Sequence, residues 1–427
     1  MSLDTAFQVS SSNLRFGFGC TRELGLDLKE LGALRVMVLM DPALVDLHPG
    51  HTVLESLRDQ RIPFDLYTQI QTEPTDHSFR VATEAAVEGR FDAFVAVGGG
   101  STIDTAKAAN LYSCYPADFF AYVNAPIGLG IPVPGPLRPL IAIPTTAGTG
   151  SETTGTAIFD WRERKTKTGI SHRHLRPLLG LVDPENTRSQ PPAVAASAGL
   201  DVLSHALESY TVIPYNSRPR PNRPTERPAY QGTNPFSDQW ALQALRLTHA
   251  FLQRAYDDPS DGEARFQMCL ASAIAGVGFG NAGVHLPHGM SYPVAGLVKR
   301  YFPPGYQVDH PLVPHGMSVI LNTPAVVRFT APANPQRHLD CAAALGADIR
   351  NVDLKDAGEL LAQTIIGYMQ SLKMPNGLAA LGYTAADIPK LVEGTLPQHR
   401  VTKLSPRPAT PDDLAHLFHD SLTVWRN

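Results

Sequence analysis

Short strand-like runs recur through the first 190 residues, and they constrain the fold more than any other feature of the chain. The runs are residues 36–40, 64–68, 93–97, 140–143 and 179–182. Most of them are apolar throughout, which is typical of parallel strands buried on both faces, and helical stretches such as residues 75–88 separate them. The pattern predicts an α/β domain with a doubly wound parallel sheet over residues 1–190.

The second part of the chain shows helical periodicity in place of the short apolar runs. Helices are predicted at residues 193–210, 238–255, 263–277 and 355–372. The boundary falls near residues 183–192, so we expect an all-α domain over residues 191–427. An insertion rich in proline and arginine lies between Pro214 and Pro235, and it is either a surface linker or a loop ordered over a site.

Composition excludes several partners and compartments. The chain carries 36 Lys and Arg against 40 Asp and Glu, a net charge of −4, so it lacks the concentrated basic surface that binds nucleic acid or anionic lipid. The four cysteines are far apart and form no CxxC pair, which fits a reducing compartment and excludes a disulfide scaffold. No secretory signal is visible at the N-terminus.

One long uncharged stretch, residues 267–298, has the length of a membrane span. It contains no Asp, Glu, Lys or Arg. It does contain Asn281, His285, His288 and several prolines and glycines, and polar groups at that density are costly in hydrocarbon. We therefore expect a buried helix and loop around a polar site, and no membrane partner.

The first motif with chemical content follows the predicted strand at residues 93–97. It reads GGGSTIDTAK from Gly98 to Lys107, and it leads into an alanine-rich helical stretch. Glycines let the backbone approach a phosphate closely, and the free N–H groups of a helix start favour its negative charge. The spacing is not the GxGxxG fingerprint, but the position between a buried strand and a helix predicts a phosphate-binding loop.

A second loop, PTTAGTGSE from Pro144 to Glu152, follows the next strong strand. On its own it could be an ordinary capped turn, since Ser and Thr favour turns and N-caps. Two such loops at the carboxyl ends of successive strands, however, mark the crevice where open α/β sheets bind ligands. Asp41 ends the first predicted strand, where it could accept ribose hydroxyls and repel the extra phosphate of NADP.

Asp201 and His205 lie four residues apart in a helical stretch that is apolar on most sides. Residues at this spacing share a helix face, and a buried aspartate needs a partner such as a cation. Two loops flanked by glycine and proline add His285, His288 and His315. Each histidine alone could be a hydrogen-bonded core residue, whereas one carboxylate with three imidazoles suits Fe²⁺, Zn²⁺ or a similar divalent ion. Such an ion with an open position polarises a hydroxyl or carbonyl oxygen.

Together, these motifs resemble those of the iron-containing (group III) alcohol dehydrogenases over nearly the whole chain. The matching segments, in order, are GGGSTIDTAKA, PTTAGTGSE, GLDVLSHALESY, HGMSYP and PHG. The resemblance implies a dehydroquinate synthase-like fold, in which a Rossmann-like domain binds NAD and a helical domain holds a metal at the cleft between them. It also implies an oxidoreductase acting on CH–OH groups of small molecules, and we expect a homo-oligomer, most simply a dimer.

Carried over residue by residue, the family pattern assigns two sets of residues. The metal ligands, which are also catalytic residues, are Asp201, His205, His288 and His315. The cofactor contacts are Gly98, Gly99, Gly100, Ser101, Asp104, Thr145, Thr146, Thr149 and Lys167. Asp41 stands at the position of an acid in NAD-preferring members, and His285 stays open as an alternative ligand to His288. Tyr292 is a further catalytic candidate. It stands four residues after His288, where alcohol-oxidising members usually have a second histidine that is assigned a proton-relay role.

Longer stretches are similar to one branch of the family, whose members pass hydride from a hydroxy acid to an oxo acid. These stretches are SNLRFG, RPAYQGTNPFSD, GFGNAGVHLPHGMSYPVAGLVK, VDHPLVPHGMSV and LPQHRVTKLSP. They include part of the insertion, so we favour a lid at that place. The branch implies oxidation of 4-hydroxybutyrate to succinate semialdehyde, coupled to reduction of 2-oxoglutarate to 2-hydroxyglutarate.

Because both of these acids carry carboxylates, we expect a basic residue in the substrate site. The candidates are Arg227, Lys299, Arg300, Arg400 and Lys403.

Two other functions stay open: an NAD-dependent alcohol dehydrogenase or maleylacetate-type reductase with free cofactor exchange, and a metal-binding scaffold without turnover. Eukaryotic members of the branch are mitochondrial, and this chain begins almost at the matching region. We therefore expect a bacterial cytoplasmic protein or a mature form from the mitochondrial matrix.

Overall fold

The computed structural model describes residues 2–306 and 308–426. The predicted domain ranges also contain residues 1, 307 and 427, which lie outside these described residues. The strands are β1 (Asn13–Phe16), β2 (Val36–Met40), β3 (Phe64–Tyr67), β4 (Ala93–Gly98), β5 (Leu140–Pro144), β6 (Thr156–Trp161), β7 (Thr166–Ser171) and β8 (Leu179–Val182). The α-helices are α1 (Leu24–Glu30), α2 (His48–Asp59), α3 (Asp76–Gly89), α4 (Gly100–Cys114), α5 (Pro192–Thr211), α6 (Pro235–Asp257), α7 (Gly262–Ala282), α8 (Leu286–Gly296), α9 (His315–Ile320), α10 (Thr323–Thr330), α11 (Pro335–Ala344), α12 (Ala357–Ser371), α13 (Ile388–Thr395), α14 (His399–Thr402) and α15 (Pro411–Ser421).

Six strands form a parallel sheet in the order β1-β8-β5-β4-β2-β3. Alternate residues of its central strands pack into different layers. Val38 and Val95 pack with α1 and α2 on one face, while Leu39 and Ala96 pack with α3 and α4 on the other. Both faces are therefore covered, which is why the central strands β2, β4 and β5 are buried at every position. The predicted doubly wound α/β fold is confirmed.

The register of the sheet brings three strand ends together. Met40 of β2 pairs with Val97 of β4, and Gly98 pairs with Pro144 of β5. Because these strands are parallel, the segments that follow them emerge at one edge of the sheet. The Asp41 turn, the GGGS loop and the PTTAGTG loop therefore start side by side.

Two features of the sheet region were absent from the sequence prediction. One is the edge strand β1, which is short and half-exposed, so it has no continuous apolar run. The other is an antiparallel hairpin of β6 and β7, in which Asp160 faces Lys167. Its strands carry threonines and charged residues, so they lack the continuous apolar runs that mark the buried strands.

The rest of the described chain, from α5 onward, is helical and confirms the predicted change of architecture. Helix α5 is buried along most of its length and packs against α6, α7 and α9. The uncharged stretch at residues 267–298 contributes most of α7 and all of α8, which meet at an angle of 103°. Within the described residues, only this bent pair of helices matches a membrane span in length and composition, and no single helix does.

The insertion between Pro214 and Pro235 is anchored to the N-terminal segment. Arg218 and Arg227 both donate to the buried carboxylate of Asp4, at 2.8 and 2.9 Å. The hydrogen bond from Arg227 lowers the pKa of Asp4 to about 2. The insertion is thus a packed surface segment, in contrast to the free linker considered above. Only its last part, at Tyr230, reaches the cavity described below.

The two halves of the chain touch where the PTTAGTG loop lies on α7. Gly150 has a φ of +58°, and a Cβ on it would stand 2.7 Å from the Cα of Gly276. A Cβ on Gly276 would in turn stand 2.4 Å from the hydroxyl oxygen of Thr153. The approach of this loop to the helix therefore depends on glycine at both positions.

We predict that Gly276→Ala destabilises the protein by about 1–3 kcal/mol, because the new methyl group overpacks this contact. Gly367→Ala in α12 is the matched control. Gly367 is exposed with no atom within 4 Å of an added Cβ, so alanine there should stabilise the helix by roughly 0.5–1 kcal/mol. Urea unfolding of both variants measures the two effects. Equal stability of the variants would contradict the packing described here.

Candidate active site

The predicted cofactor residues meet at the carboxyl edge of the sheet. The backbone N–H of Thr145 donates to Gly98 O at 3.1 Å, and that of Asp41 donates to Val97 O at 3.1 Å. A Cβ on Gly99 would stand 3.2 Å from Thr146, so the two loops lie against each other. Helix α4 begins at Gly100, and its first N–H groups face this edge.

Asp41 lies at the end of β2, as predicted. Its carboxylate accepts the N–H of Ala43 at 3.0 Å and caps the short turn that follows the strand. The side chain is half-exposed at the edge that carries the two loops. A carboxylate in this place can reach a ligand that lies along the loops.

Asp104 is bonded within the protein. Its oxygens accept the hydroxyl of Ser151 at 2.6 Å and the N–H of Ile158 at 2.9 Å, while Lys107 lies 3.5 Å away. Burial raises the pKa of its carboxyl, and Lys107 and these hydrogen bonds oppose that rise. Asp104 therefore ties α4 to the second loop and to the hairpin, from a position in the wall of the cavity.

Lys167, on β7, is buried between two acids. It forms ion pairs with Glu73 and with Asp160, the latter at 3.3 Å. Burial opposes its charge, but the two carboxylates outweigh burial and raise the pKa of Lys167. Its charge is thus neutralised inside the protein, although the residue lines the cavity.

Four side chains from three helices converge near the other end of the cavity. Asp201 and His205 come from α5, His288 from α8 and His315 from α9. One donor atom from each lies within 4.8 Å of the others. Asp201 oxygens lie 3.7 Å from His205 Nδ1, 3.7 Å from His288 Nε2 and 3.8 Å from His315 Nε2. These distances are too long for hydrogen bonds, but they approach the separation of roughly 3.4 Å between ligands of one tetrahedral ion.

The donor atoms of this cluster also fit a cation electrostatically. Asp201 Oδ1, His205 Nδ1 and His288 Nε2 are buried, and none has a hydrogen-bond partner among the described residues. Burial raises the pKa of Asp201 to about 7 and lowers the pKa of His205. Buried polar atoms without partners are costly, and a shared divalent ion would satisfy all of them.

A second acid, Glu208, holds the histidine of α8. Its Oε1 lies 2.6 Å from His288 Nδ1, and its Oε2 accepts the backbone N–H of His285 at 2.7 Å. The pair fixes the His288 ring so that Nε2 faces Asp201. Carboxylates of this kind orient metal-binding histidines in many proteins.

His285 has a different environment. Its Nε2 lies 3.0 Å from the hydroxyl of Thr211, and the ring is not part of the donor cluster. His285 precedes the first residue of α8 and has a non-helical backbone (φ −136°, ψ −127°), so its ring does not share the helix face of His288. Of the two alternatives, the geometry brings His288 to Asp201.

A cavity of about 140 Å³ connects the cluster to the glycine loop. Gly100, Ser101 and Thr149 line one end, and His205, His288 and His315 line the other. Phe279 and Val284 form an apolar wall, and the Phe279 ring stacks on His205 with centroids 3.9 Å apart. One small cavity is thus lined by parts of the two predicted phosphate loops and by the three histidines of the predicted metal site.

Tyr292 and Arg400 complete the wall. Tyr292 lies four residues after His288 on α8, and Arg400 Nη2 donates to its hydroxyl at 2.7 Å. The Arg400 guanidinium also lies over the Tyr230 ring, 4.9 Å from its centroid. Arg400 Nη1 is buried without a partner in the described part of the chain.

The other basic candidates lie elsewhere. Arg227 pairs with Asp4, and Lys299 pairs with Asp387. Arg300 and Lys403 are exposed. Of the five candidates, Arg400 alone lines the cavity.

Three acids at the site were missed by the sequence analysis. Glu208 carries a usable signal, because it follows His205 by three residues on the same apolar helix and needs a partner there as Asp201 does. Glu73 and Asp160 carry none, since a loop and a hairpin remote from each other in sequence bring them to Lys167. Such long-range pairs leave no periodic pattern.

Comparison with known families supports the fold and the site together. Residues 11–184 match the model of the iron-containing alcohol dehydrogenases, and residues 225–422 match the C-terminal model of the same family. The mitochondrial hydroxyacid-oxoacid transhydrogenase of Xenopus tropicalis is 58% identical over 98% of this chain and 91% of its own length. The mitochondrial transhydrogenase of Homo sapiens is 56% identical over 99% of this chain and 91% of its own length.

Solved structures show the same architecture. A 1,3-propanediol oxidoreductase superposes with a TM-score of 0.84 at 26% identity, over 97% of this chain and 100% of that one. The sulfoacetaldehyde reductase of Bifidobacterium kashiwanohense, solved in complex with NAD+, superposes with a TM-score of 0.77 at 26% identity, over 98% of both chains. The resemblance inferred from the sequence motifs is confirmed, and the chain belongs to the iron-containing alcohol dehydrogenase family.

Proposed function

We propose that this chain is a hydroxyacid-oxoacid transhydrogenase that oxidises 4-hydroxybutyrate and reduces 2-oxoglutarate. The observation that carries the proposal is the single cavity lined by three of the four metal donors, parts of two phosphate loops and a guanidinium without a carboxylate partner. Relatives of that name at 56–58% identity over nearly the whole chain support it. In the net reaction the hydroxy acid loses two electrons and two protons, and the oxo acid gains them.

Asp201, His205, His288 and His315 would hold a divalent metal, with iron favoured by the family. When bound, the metal supplies Lewis acidity toward a substrate oxygen, and NAD supplies a nicotinamide that accepts and returns hydride. Glu208 keeps the His288 ring in position through its 2.6 Å contact. Phe279 and Val284 exclude water from the reacting end of the cavity.

At the opposite end, the chain's own backbone would bind the dinucleotide. The N–H groups at the start of α4 and in the PTTAGTG loop face the edge where a diphosphate would lie. Asp41 would accept the ribose hydroxyls, and its charge disfavours a 2′-phosphate. Asp104 and Lys167 keep the loop and the hairpin in place through their internal bonds.

Tyr292 would stand in the place of the relay histidine as a hydrogen-bond donor to the substrate. Its hydroxyl oxygen accepts a hydrogen bond from Arg400, which leaves its own O–H able to donate into the cavity. A reaction with no net release of protons does not need the histidine path of other family members.

We further propose that residues 1–190 and 191–427 form two domains with this cavity between them. The mitochondrial transhydrogenases among the relatives support the mitochondrial alternative for the compartment. A plain NAD-dependent alcohol dehydrogenase is the competing function, and the experiments below distinguish it.

The first prediction concerns the metal. His205→Ala should lose most of the bound metal and the activity together, with affinity weakened by at least about 100-fold, because one of four donors is gone. His285→Ala is the matched control, since its ring points away from the cluster, and it should be milder in both measurements. Metal content by mass spectrometry and initial rates provide the data. Full occupancy and a normal rate in His205→Ala would refute the assignment, and the reverse ranking would make His285 the ligand.

The second prediction concerns the cofactor. The parent protein should bind NAD more tightly than NADP, and Asp41→Gly should reduce that preference by about 10-fold or more, because repulsion of the 2′-phosphate disappears. Asp46→Gly, which removes an exposed charge nearby, serves as the control. Calorimetric titration with both dinucleotides measures the ratio. If the parent binds both equally, Asp41 does not select the cofactor.

The third prediction separates a transhydrogenase from a dehydrogenase. Enzyme freed of unbound nucleotide by gel filtration should convert 4-hydroxybutyrate and 2-oxoglutarate over many turnovers, with ping-pong kinetics, because NAD remains bound between half-reactions. Succinate semialdehyde and 2-hydroxyglutarate are measured. Product that forms only with excess NAD, together with stoichiometric NADH in solution, would favour the plain dehydrogenase. No product with any alcohol would favour a scaffold without turnover.

A further inference from the structure

Arg400 is a cation whose charge the protein leaves unmatched. Its Nη2 donates to the Tyr292 hydroxyl at 2.7 Å, and its guanidinium lies over the Tyr230 ring. These neutral partners orient the group without cancelling its charge. Nη1 is buried and has no partner within residues 2–306 and 308–426.

The other cation of the cavity wall differs in this respect. Lys167 is paired with Glu73 and Asp160, so it offers little net charge to a ligand. Arg400 has no carboxylate in contact among the described residues. A buried charge with an open donor is costly in a free protein, and an anionic ligand recovers that cost. The geometry of a guanidinium also suits a carboxylate better than any neutral group.

We propose that Arg400 binds the distal carboxylate of both substrates, and this inference rests on the proposed function. In 4-hydroxybutyrate, two methylene groups separate the carbinol carbon from the carboxylate. In 2-oxoglutarate, two methylene groups separate the keto carbon from the distal carboxylate. The two acids therefore present the same spacing between the reacting carbon and an anion. One fixed guanidinium serves both half-reactions, in the same cavity as the donor cluster.

Two consequences follow from a single fixed anchor. Chain length becomes selective, so acids with one or three methylene groups react more slowly than those with two. Each acid also competes with the other for one anchor. Succinate, which carries two carboxylates separated by two methylene groups, should therefore inhibit both half-reactions.

The test compares a charged substrate with its neutral isostere. The ratio of kcat/KM for 4-hydroxybutyrate to that for 4-hydroxybutyramide is measured in the parent and in Arg400→Gln. The ratio should fall by about 100-fold, the size expected when a buried charged hydrogen-bonding partner is removed. The kcat/KM for 2-oxoglutarate should fall by a similar factor. Lys299→Gln, which removes a surface charge paired with Asp387, is the matched control and should leave all three values unchanged.

An equal loss for acid and amide in Arg400→Gln, or no loss for either, would overturn the inference, even in an enzyme that turns over both acids as proposed. Conversely, a parent without coupled turnover refutes the proposed function, while a selective loss for the acid would still support the anchor.

Metal content and melting temperature check that the variant is folded. If Arg400→Gln does not fold, Arg400→Lys supplies the test. The shorter reach of lysine should move the preference toward 5-hydroxypentanoate, and an unchanged length preference and rate would contradict the proposal.

Discussion

The burial of charged and polar donors on α5 is the constraint around which the rest of the structure is arranged. Asp201 and His205 lie on a helix enclosed by α6, α7 and α9, and both side chains are almost completely shielded from bulk solvent. A carboxylate in such surroundings requires a cation or its own protonation. The bend between α7 and α8 and the start of α9 bring His288 and His315 to the same point. Glu208, on the same helix, then fixes the orientation of His288.

The cavity wall contains two cations, and only one of them is neutralised by neighbouring acids. Lys167 is matched by two acids, whereas Arg400 is held by two tyrosines that orient it and leave its charge free. A ligand entering the cavity therefore encounters donors for an anion at Arg400 and unpartnered bases at the cluster. The glycine loops close the third side. The residues proposed to anchor the substrate, to hold a metal and to bind a dinucleotide are thus separate residues around one small volume.

Much of the fold followed from local pattern. The strands at residues 36–40, 93–98 and 140–144 are buried on both faces, and that condition leaves a continuous apolar run in the sequence. The edge strand β1 and the β6–β7 hairpin were missed, because half-exposed or threonine-rich strands carry a weaker pattern. The sequence favoured a lid at the insertion, but most of the insertion lies away from the cavity. Two of its arginines, Arg218 and Arg227, bind the buried carboxylate of Asp4, and Tyr230 alone of the insertion lines the cavity.

By itself, the sequence determined the chemistry available: a strand–glycine–helix unit, an Asp–His pair one helical turn apart and histidines in small-residue loops. Each of these is a local arrangement, since spacing along a helix or after a strand is fixed by backbone geometry. Only the tertiary structure decided that His288 rather than His285 faces Asp201, and that Arg400 rather than four other basic residues lines the cavity. Those choices depend on the angle at which helices meet and on contacts between residues over a hundred positions apart. No local pattern encodes them.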